Sequence, residues 1–332
     1  EFDPAVTTMR RAADLHAQQV GLRSSAFLGD LRNVREKVIR QDETKTQELL
    51  ELARAENPEL FRTPHLIAFA ADRGSQELLQ AVLDYADRAN YRASNMMQAI
   101  GMLRSYVEAR QVNRDLQNRL SQFRGIVEER ILPELVHLDP GFFVRTGPGQ
   151  VDVYHSVLAG SLLTTLADQE NDPRLRRIGR NLIRSAFRFS NDTGFLPRVL
   201  FTGDGNLQGS EGALGPAAIY DLITPRPHYP RQLSLYDEIG PGAWIWSAVE
   251  FTDIQIGNAQ YRFTLRNVPN RTHYLFLQGI PPFNGMQLFG QPWRNDPSFE
   301  SYVKGRHYNL DSRTLMIKYT DDAPSGDIVL SY

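Results

Sequence analysis

The sequence predicts an α+β protein, with a helical domain over residues 1–250 followed by a C-terminal antiparallel β-sandwich over residues 251–332. Two observations predict it. Up to Glu250, apolar residues recur three and four apart between charged ones, which is the period of an amphipathic helix. After Glu250 the pattern turns to alternation, rich in β-branched and aromatic residues and cut by clusters of Pro, Asn, Asp and Gly, as in short strands joined by turns.

Residues 1–140 form an amphipathic helical region. Phe27, Leu28, Leu31, Val34 and Val38 make one apolar stripe, and Leu116, Leu120, Phe123, Val127 and Ile131 make another. Asn57-Pro58, Thr63-Pro64 and Asp139-Pro140 divide the helices, because proline disfavours the α conformation in the residue before it. Arg114, Arg119, Arg124, Glu128 and Glu129 read as solvated faces, since no heptad persists for the roughly three or four repeats of a coiled coil.

Between residues 141 and 250 the helices continue, with links richer in Gly, Pro and polar residues. Tyr154 to Gln169 is one helix. Arg174 to Phe189 is a second, with Leu175, Ile178, Leu182, Ile183, Ala186 and Phe187 on one side. Its other side carries Arg177, Arg180, Arg184 and Arg188, a face suited to an acidic polymer but also to solvent or to pairing with the acidic helices. No ligand is assigned to it.

Beyond residue 250, "IQIGNAQYRFTLRN", "THYLFLQGI", "YVKGRHYNLDSRTLMIKYT" and "DIVLSY" are strand segments at the spacing of a small antiparallel sandwich or barrel. The end of the chain reads as a meander that turns at Leu310-Asp311-Ser312-Arg313. Ile328 and Leu330 face the interior of its last strand, alternating with Asp327 and Ser331. The absence of a fixed-period repeat argues against a solenoid.

Composition excludes several function classes. Apolar residues make up 41% and charged ones 23% of 332 residues, with a formal charge of −2. That balance gives no global electrostatic case for nucleic acid or an anionic membrane. No window approaches the roughly 18 apolar residues of a membrane span. Cysteine is absent, which removes disulfides, thiolate nucleophiles and cysteine-ligated metals together. The chain opens on Glu1-Phe2-Asp3, which reads as a processed mature form or a fragment.

The nucleotide-binding, zincin and serine-hydrolase signatures are missing, so the sequence calls for no cofactor. Asp204, Asn206, Gln208 and Gly209 fall at the first, third, fifth and sixth positions of a calcium loop. Gly215 stands where the bidentate Glu belongs, so the segment reads as a turn-rich loop and no metal is expected. Two Tyr/His pairs, Tyr154-His155 and His228-Tyr229, carry groups that could act as base and charge neutraliser where a lyase removes a proton beside a uronate carboxyl. Neighbours on a helix diverge by about 100°, so buried, hydrogen-bonded aromatics are the plainer reading of each pair.

Asp192, Glu211 and the pair Asp237-Glu238 each fall in an expected loop beside a helix end. Hydrolysis of a glycosidic bond needs one protonated and one ionised carboxyl, while helix caps and turns use the same residue types. In "YDEIGPGAWIWSAVE", residues 236–250, the indoles of Trp244 and Trp246 follow Gly240-Pro241-Gly242. A helix starting near Ala243 would point them about 200° apart, with Trp246 assigned to the core and Trp244 to a cleft beside Glu238. Only an extended segment would put both on one face.

The run "YHSVLAGSLLTTLADQENDPRLRRIGRNLIRSAFRFSNDTGFLP", then "GPAAIYDLI" and "HYPRQLSLYDEIGPGAWIWSA", followed by the all-β tail, resembles the later helices of an (α/α)-toroid joined to a β-sandwich. That arrangement is similar to families of glycoside hydrolases and polysaccharide lyases. The resemblance implies a helical, partly (α/α)-toroid-like domain, with the toroid-like helices at 141–250 and the β domain at 251–332. It also implies a carbohydrate-active or glycan-binding protein with its cleft at the helical loop ends. Glu211 and Glu238 would be the acid/base candidates. Trp244, Trp246, Tyr229 and Arg231 would form the platform, with Asp237, Tyr154 and His155 beside it. The partner would be a poly- or oligosaccharide met outside the cytoplasm, by a periplasmic or secreted bacterial protein. A reading of another class stands beside it: a non-catalytic envelope or surface scaffold that binds a protein partner, because fold does not imply activity.

Overall fold

The computed structural model describes residues 31–88, 93–139, 141–215, 218, 219, 222 and 231–332. Tyr229, Phe27 and Leu28 lie outside the described residues, and of Leu31, Val34, Val38 and Arg231 only the backbone is described. The described chain is α+β, with helices in its N-terminal half and antiparallel sheets in its C-terminal half. It divides into two compact units, residues 45–70 and 74–222 in the first and residues 31–44, 71–73 and 231–332 in the second.

Helices α1 (Leu31–Arg54), α2 (Leu66–Asp72), α3 (Gln76–Asp87), α4 (Met96–Val112) and α5 (Arg114–Arg119) come first. Their starts follow local chemistry. Ser75 caps α3 by accepting the Leu78 N–H, Asn95 caps α4 through the Gln98 N–H, and Asn113 caps α5 through Asp115 and Leu116. The stripe from Leu116 to Ile131 is buried as its spacing predicts. Its backbone is not one helix, however: α5 passes into a 3-10 turn (Ser121–Gly125) and a π turn (Val127–Ile131). Phe123 meets Phe61 edge-on at 5.0 Å within this core.

Two long helices follow a small hairpin of β1 (Leu135–Leu138) and β2 (Gly141–Val144) and the short strand β3 (Gln150–Asp152). They are α6 (Val153–Glu170) and α7 (Pro173–Phe187), joined through left-handed Asn171 with Asp172 as N-cap and Pro173 at the first helical position. Their backbones touch. A Cβ added to Gly160 would stand 2.7 Å from the Gly179 carbonyl oxygen, and one added to Gly179 would stand 2.5 Å from that of Gly160. Gly160→Ala is therefore expected to force the helices apart at a cost on the order of 1–3 kcal/mol, read as a lower thermal midpoint. An unchanged melt would show that the pair separates freely.

The helices expected to continue to residue 250 do not. β4 (Leu196–Gly203) and β5 (Asn206–Leu214) form a hairpin beside β3, so Glu211 stands on a strand rather than in a loop at a helix end. The cause is the two-residue turn Asp204-Gly205, with φ of 53° and 77°. An Asp-Gly pair supplies the two positive φ values that a tight hairpin turn needs. Asp204 is also the first residue of the segment that suggested a calcium loop, whose Asn206, Gln208 and Gly209 lie on β5. Among the described residues of 141–250, α6 and α7 are the long helices.

The second unit holds β6 (Arg231–Ser234), β7 (Trp244–Ser247), β8 (Glu250–Ile256), β9 (Gln260–Arg266), β10 (Arg271–Gln278), β11 (Gly285–Leu288), β12 (Gln291–Pro292), β13 (Gly305–Asn309), β14 (Thr314–Asp321) and β15 (Ser325–Ser331). They make two five-stranded antiparallel sheets, ordered β13-β14-β10-β7-β6 and β12-β11-β15-β9-β8. Ile245, Leu275, Leu277, Leu315, Ile317 and Tyr319 of one share a single buried cluster with Phe263, Leu265, Met286, Leu288, Ile328 and Leu330 of the other. Ile328 and Leu330 are buried as expected. The terminal meander needs correction. β14 and β15 belong to different sheets, because the Asp321–Pro324 link crosses between them and is pinned by the Asn267 N–H to the Pro324 carbonyl at 2.8 Å.

Candidate functional site

The segment Gly240-Pro241-Gly242 ends the loop of a β-hairpin, and no helix begins at Ala243. Gly240 (φ 119°) and Gly242 (φ 82°) take conformations open to glycine, and the Leu235 N–H bonds the Ala243 carbonyl at 2.9 Å to close β6 onto β7. Trp-Ile-Trp-Ser is extended, as suits aromatic and β-branched residues. Both indoles therefore lie on one face of the sheet, since side chains two apart on a strand point the same way. The assignment of core and cleft is also reversed: Trp244 is 6% exposed, and Trp246 is the half-buried one.

Register sets out the rest of that face. Gln232, Trp246, Phe276, Met316 and His307 stand opposite one another across β6, β7, β10, β14 and β13. Ser234, Trp244 and Gln278 form the next row. Trp244 stacks on Phe276 with ring centres 5.3 Å apart, and the Arg73 guanidinium lies 5.5 Å from its ring. Arg73 is held by a fork to Asp42, with Nε 2.9 Å from Oδ2 and Nη2 2.5 Å from Oδ1. Beside it, Asp72 accepts from Gln232 Nε2 at 2.8 Å and from Ser234 Oγ at 3.0 Å. Asp72 is 6% exposed. Burial pushes its pKa up to about 7, against the pull of the Gln232 and Ser234 hydrogen bonds and the Arg73 charge. Every residue of this cluster belongs to the second unit.

Around Trp246 the face opens. Tyr274 is half-buried, with Lys318 Nζ 6.0 Å from its ring centre and donating to the Glu300 carbonyl at 2.6 Å. Phe299 is buried against this wall and stacks with His307 at 6.5 Å. Tyr302 and Val303, just after it, are exposed.

The other sequence candidates fall elsewhere. Asp237 and Glu238 are exposed on the turn after β6, where partial burial, then the neighbouring Asp237 carboxylate, raises the Glu238 pKa. Arg231 is on β6. Glu211, Tyr154 and His155 belong to the first unit, so Glu211 and Glu238 stand on different units. Glu211 is exposed and opposite Val199, which is itself opposite Asp152, so the three share one sheet face. Asp152 is the N-cap of α6. Its Oδ1 accepts from the His155 N–H and meets His155 Nδ1, each at 2.9 Å. Burial alone would raise the Asp152 pKa, but the His155 side-chain and backbone bonds outweigh it and hold the carboxyl below its usual range. The rings of Tyr154 and His155 meet edge-on at 5.3 Å, so the pair is a packed helix start. Asp192 is exposed in a turn organised by the Asn191 side chain.

Asp42, Asp72 and Arg73 escaped the sequence reading because their site has no local signature; α1, α2 and β6 bring its members together across about 160 positions, as in Gln232 with Asp72. Among the described residues, no three His, Asp or Glu side chains are grouped to hold a metal ion. Chemically, the face offers the rings of Trp246 and Tyr274 for stacking, beside a Gln232 amide and a buried Asp72 carboxyl that bond each other. No family model matches the chain, and no curated protein matches it closely enough to count as a relative.

Proposed function

We propose that the protein binds a glycan on the outer face of the β13-β14-β10-β7-β6 sheet, with the two sheets of the second unit packed as a β-sandwich around their shared core. One observation carries the reading: Trp246 and Tyr274 stand half-buried on the same sheet face, beside the Gln232 amide. Aromatic rings flush with a sheet offer the flat apolar surface on which a sugar ring stacks, and the Gln232 amide, which donates to Asp72 at 2.8 Å and accepts from Arg73 Nη1 at 3.5 Å, forms the fixed polar border of that surface. Binding is favoured over cleavage because both oxygens of buried Asp72 are already engaged by Gln232 and Ser234. A polymeric glycan target would place the protein outside the cytoplasm. The scaffold reading makes the opposite prediction at this face.

A glycan array followed by titration of the strongest ligand tests the reading. Trp246→Ala is expected to weaken binding by about tenfold or more, equivalent to about 1.4 kcal/mol, while keeping the native circular dichroism. Wild-type protein that binds no glycan, or a variant that binds as tightly as wild type, would hand the face to a protein partner. Product analysis on any bound glycan, with Glu211→Gln and Glu238→Gln alongside, decides whether cleavage accompanies binding.

A further inference from the structure

Helix α7 carries charge of one sign. From Pro173 to Phe189 the sequence holds six arginines and no Lys, Asp or Glu, in a chain whose formal charge is −2. Around the helix axis Arg177, Arg180, Arg184 and Arg188 fall within about 80° of one another, and along it they are spaced by about 4.5–6 Å. All four are exposed. The other two arginines pair with acids: Arg174 with Glu128 at 3.9 Å and Arg176 with Asp168 at 2.9 Å. Arg188 has a contact of its own. Among the described residues, no ion pair or hydrogen bond engages the side chains of Arg177, Arg180 or Arg184.

The helix gains from the dipole only at Arg184, in its last turn, and at the C-cap Arg188. Like charges three and four apart destabilise an isolated helix, and the macrodipole favours cations only in the last turn, which Arg177 and Arg180 do not reach. An exposed aromatic borders the same helix. Ser185 Oγ accepts the Phe142 N–H at 2.8 Å, and the 45%-exposed Phe142 ring lies 4.8 Å from that of His137.

We propose that this line of guanidinium groups binds a linear acidic polysaccharide, its carboxylates or sulfates seated one after another on Arg177, Arg180 and Arg184. The planar fork of arginine matches such oxyanions in two parallel hydrogen bonds, which a lysine stripe would not provide. The line is one helix face wide and about 16 Å long from Arg177 to Arg188, which fits a single extended chain rather than a duplex, and a formal charge of −2 gives no global electrostatic case for nucleic acid. The inference rests on the glycan reading and makes the ligand class acidic, through a surface on the other unit.

Polygalacturonate, neutral dextran and a single-stranded DNA oligonucleotide are the probes, titrated into the full chain at low and high salt. Polygalacturonate is expected to bind, with an affinity that falls as salt screens the charges. The triple variant Arg177→Gln/Arg180→Gln/Arg184→Gln is expected to bind it about tenfold or more weakly at a thermal midpoint no lower than that of wild type. Should the triple variant misfold, Arg177→Gln and Arg180→Gln singly, each about two- to threefold weaker, carry the test. Equal binding by variant and wild type, no binding at low salt, or tighter binding of the oligonucleotide would overturn the proposal. A neutral glycan bound through Trp246 with no affinity for polygalacturonate would sink this inference and leave the sheet-face reading standing. Polygalacturonate bound through the arginines, with Trp246→Ala silent toward every glycan, would do the reverse.

Discussion

Trp244→Ala is expected to cost about 3–5 kcal/mol of stability, the range for deleting a fully packed aromatic. Three supports go with the ring. Its stacking on Phe276 is lost, the Arg73 guanidinium loses the surface beneath it, and a cavity opens under the row that Ser234 and Gln278 flank. Denaturant unfolding should show a lower midpoint with an unchanged slope. Trp246→Ala, which removes a half-buried ring from the same strand, should cost clearly less. If the two variants unfold at the same midpoint, the difference in burial between the indoles has no energetic meaning and the description of this face is wrong.

Asp72 should make the protein less stable in mild alkali. Its folded pKa of about 7 lies above the ordinary value of 3.8, so between those limits the folded state holds a proton that the unfolded chain has released. The protonated carboxyl favours folding fully below pH 3.8. That contribution is lost as the pH rises toward 7, and above 7 the buried charge is a net cost. At about 1.36 kcal/mol per pKa unit the whole swing is about 4 kcal/mol. Asp152 works with the opposite sign, its contribution being lost in acid as the pH falls through its depressed folded value. Comparison with Asp72→Asn isolates the first effect, because the amide stays neutral and all other carboxyls are common to both proteins. The stability of wild type relative to the variant should fall between pH 4 and pH 8. Parallel profiles would mean that Asp72 is ionised at no cost.

Much of the fold was legible in local pattern. The stripes of α5 to Ile131 and of α7, and the alternation around Phe263, Leu277, Ile317 and Ile328, state which faces are buried, because burial of apolar area needs only the right period. Two turns differ from the expectation of local pattern for one reason, that residues suited to strands flank each. The pattern suggests a loop at Asp204-Gly205 and a helix start at Gly240-Pro241-Gly242, yet the first is a two-residue hairpin turn and the second ends the longer loop that closes β6 onto β7. With Trp244-Ile245-Trp246 extended, the orientation of the indoles follows from the period of two.

By itself, then, the sequence determined that helices dominate the N-terminal half and strands the C-terminal half, which face of each periodic stripe is buried, and that the charges on the polar side of α7 are all positive, because each of these follows from spacing along one segment. It did not determine which strands share a sheet, since β14 and β15 are neighbours in the chain and belong to different sheets. Nor did it reveal Asp72, Arg73 and Asp42 beside Gln232, Ser234 and Trp244, a cluster assembled from α1, α2, β6 and β7. Only the tertiary structure decided those, because the pKa of a carboxyl and the exposure of an indole depend on what is packed against them, and the packing groups lie far away in the chain.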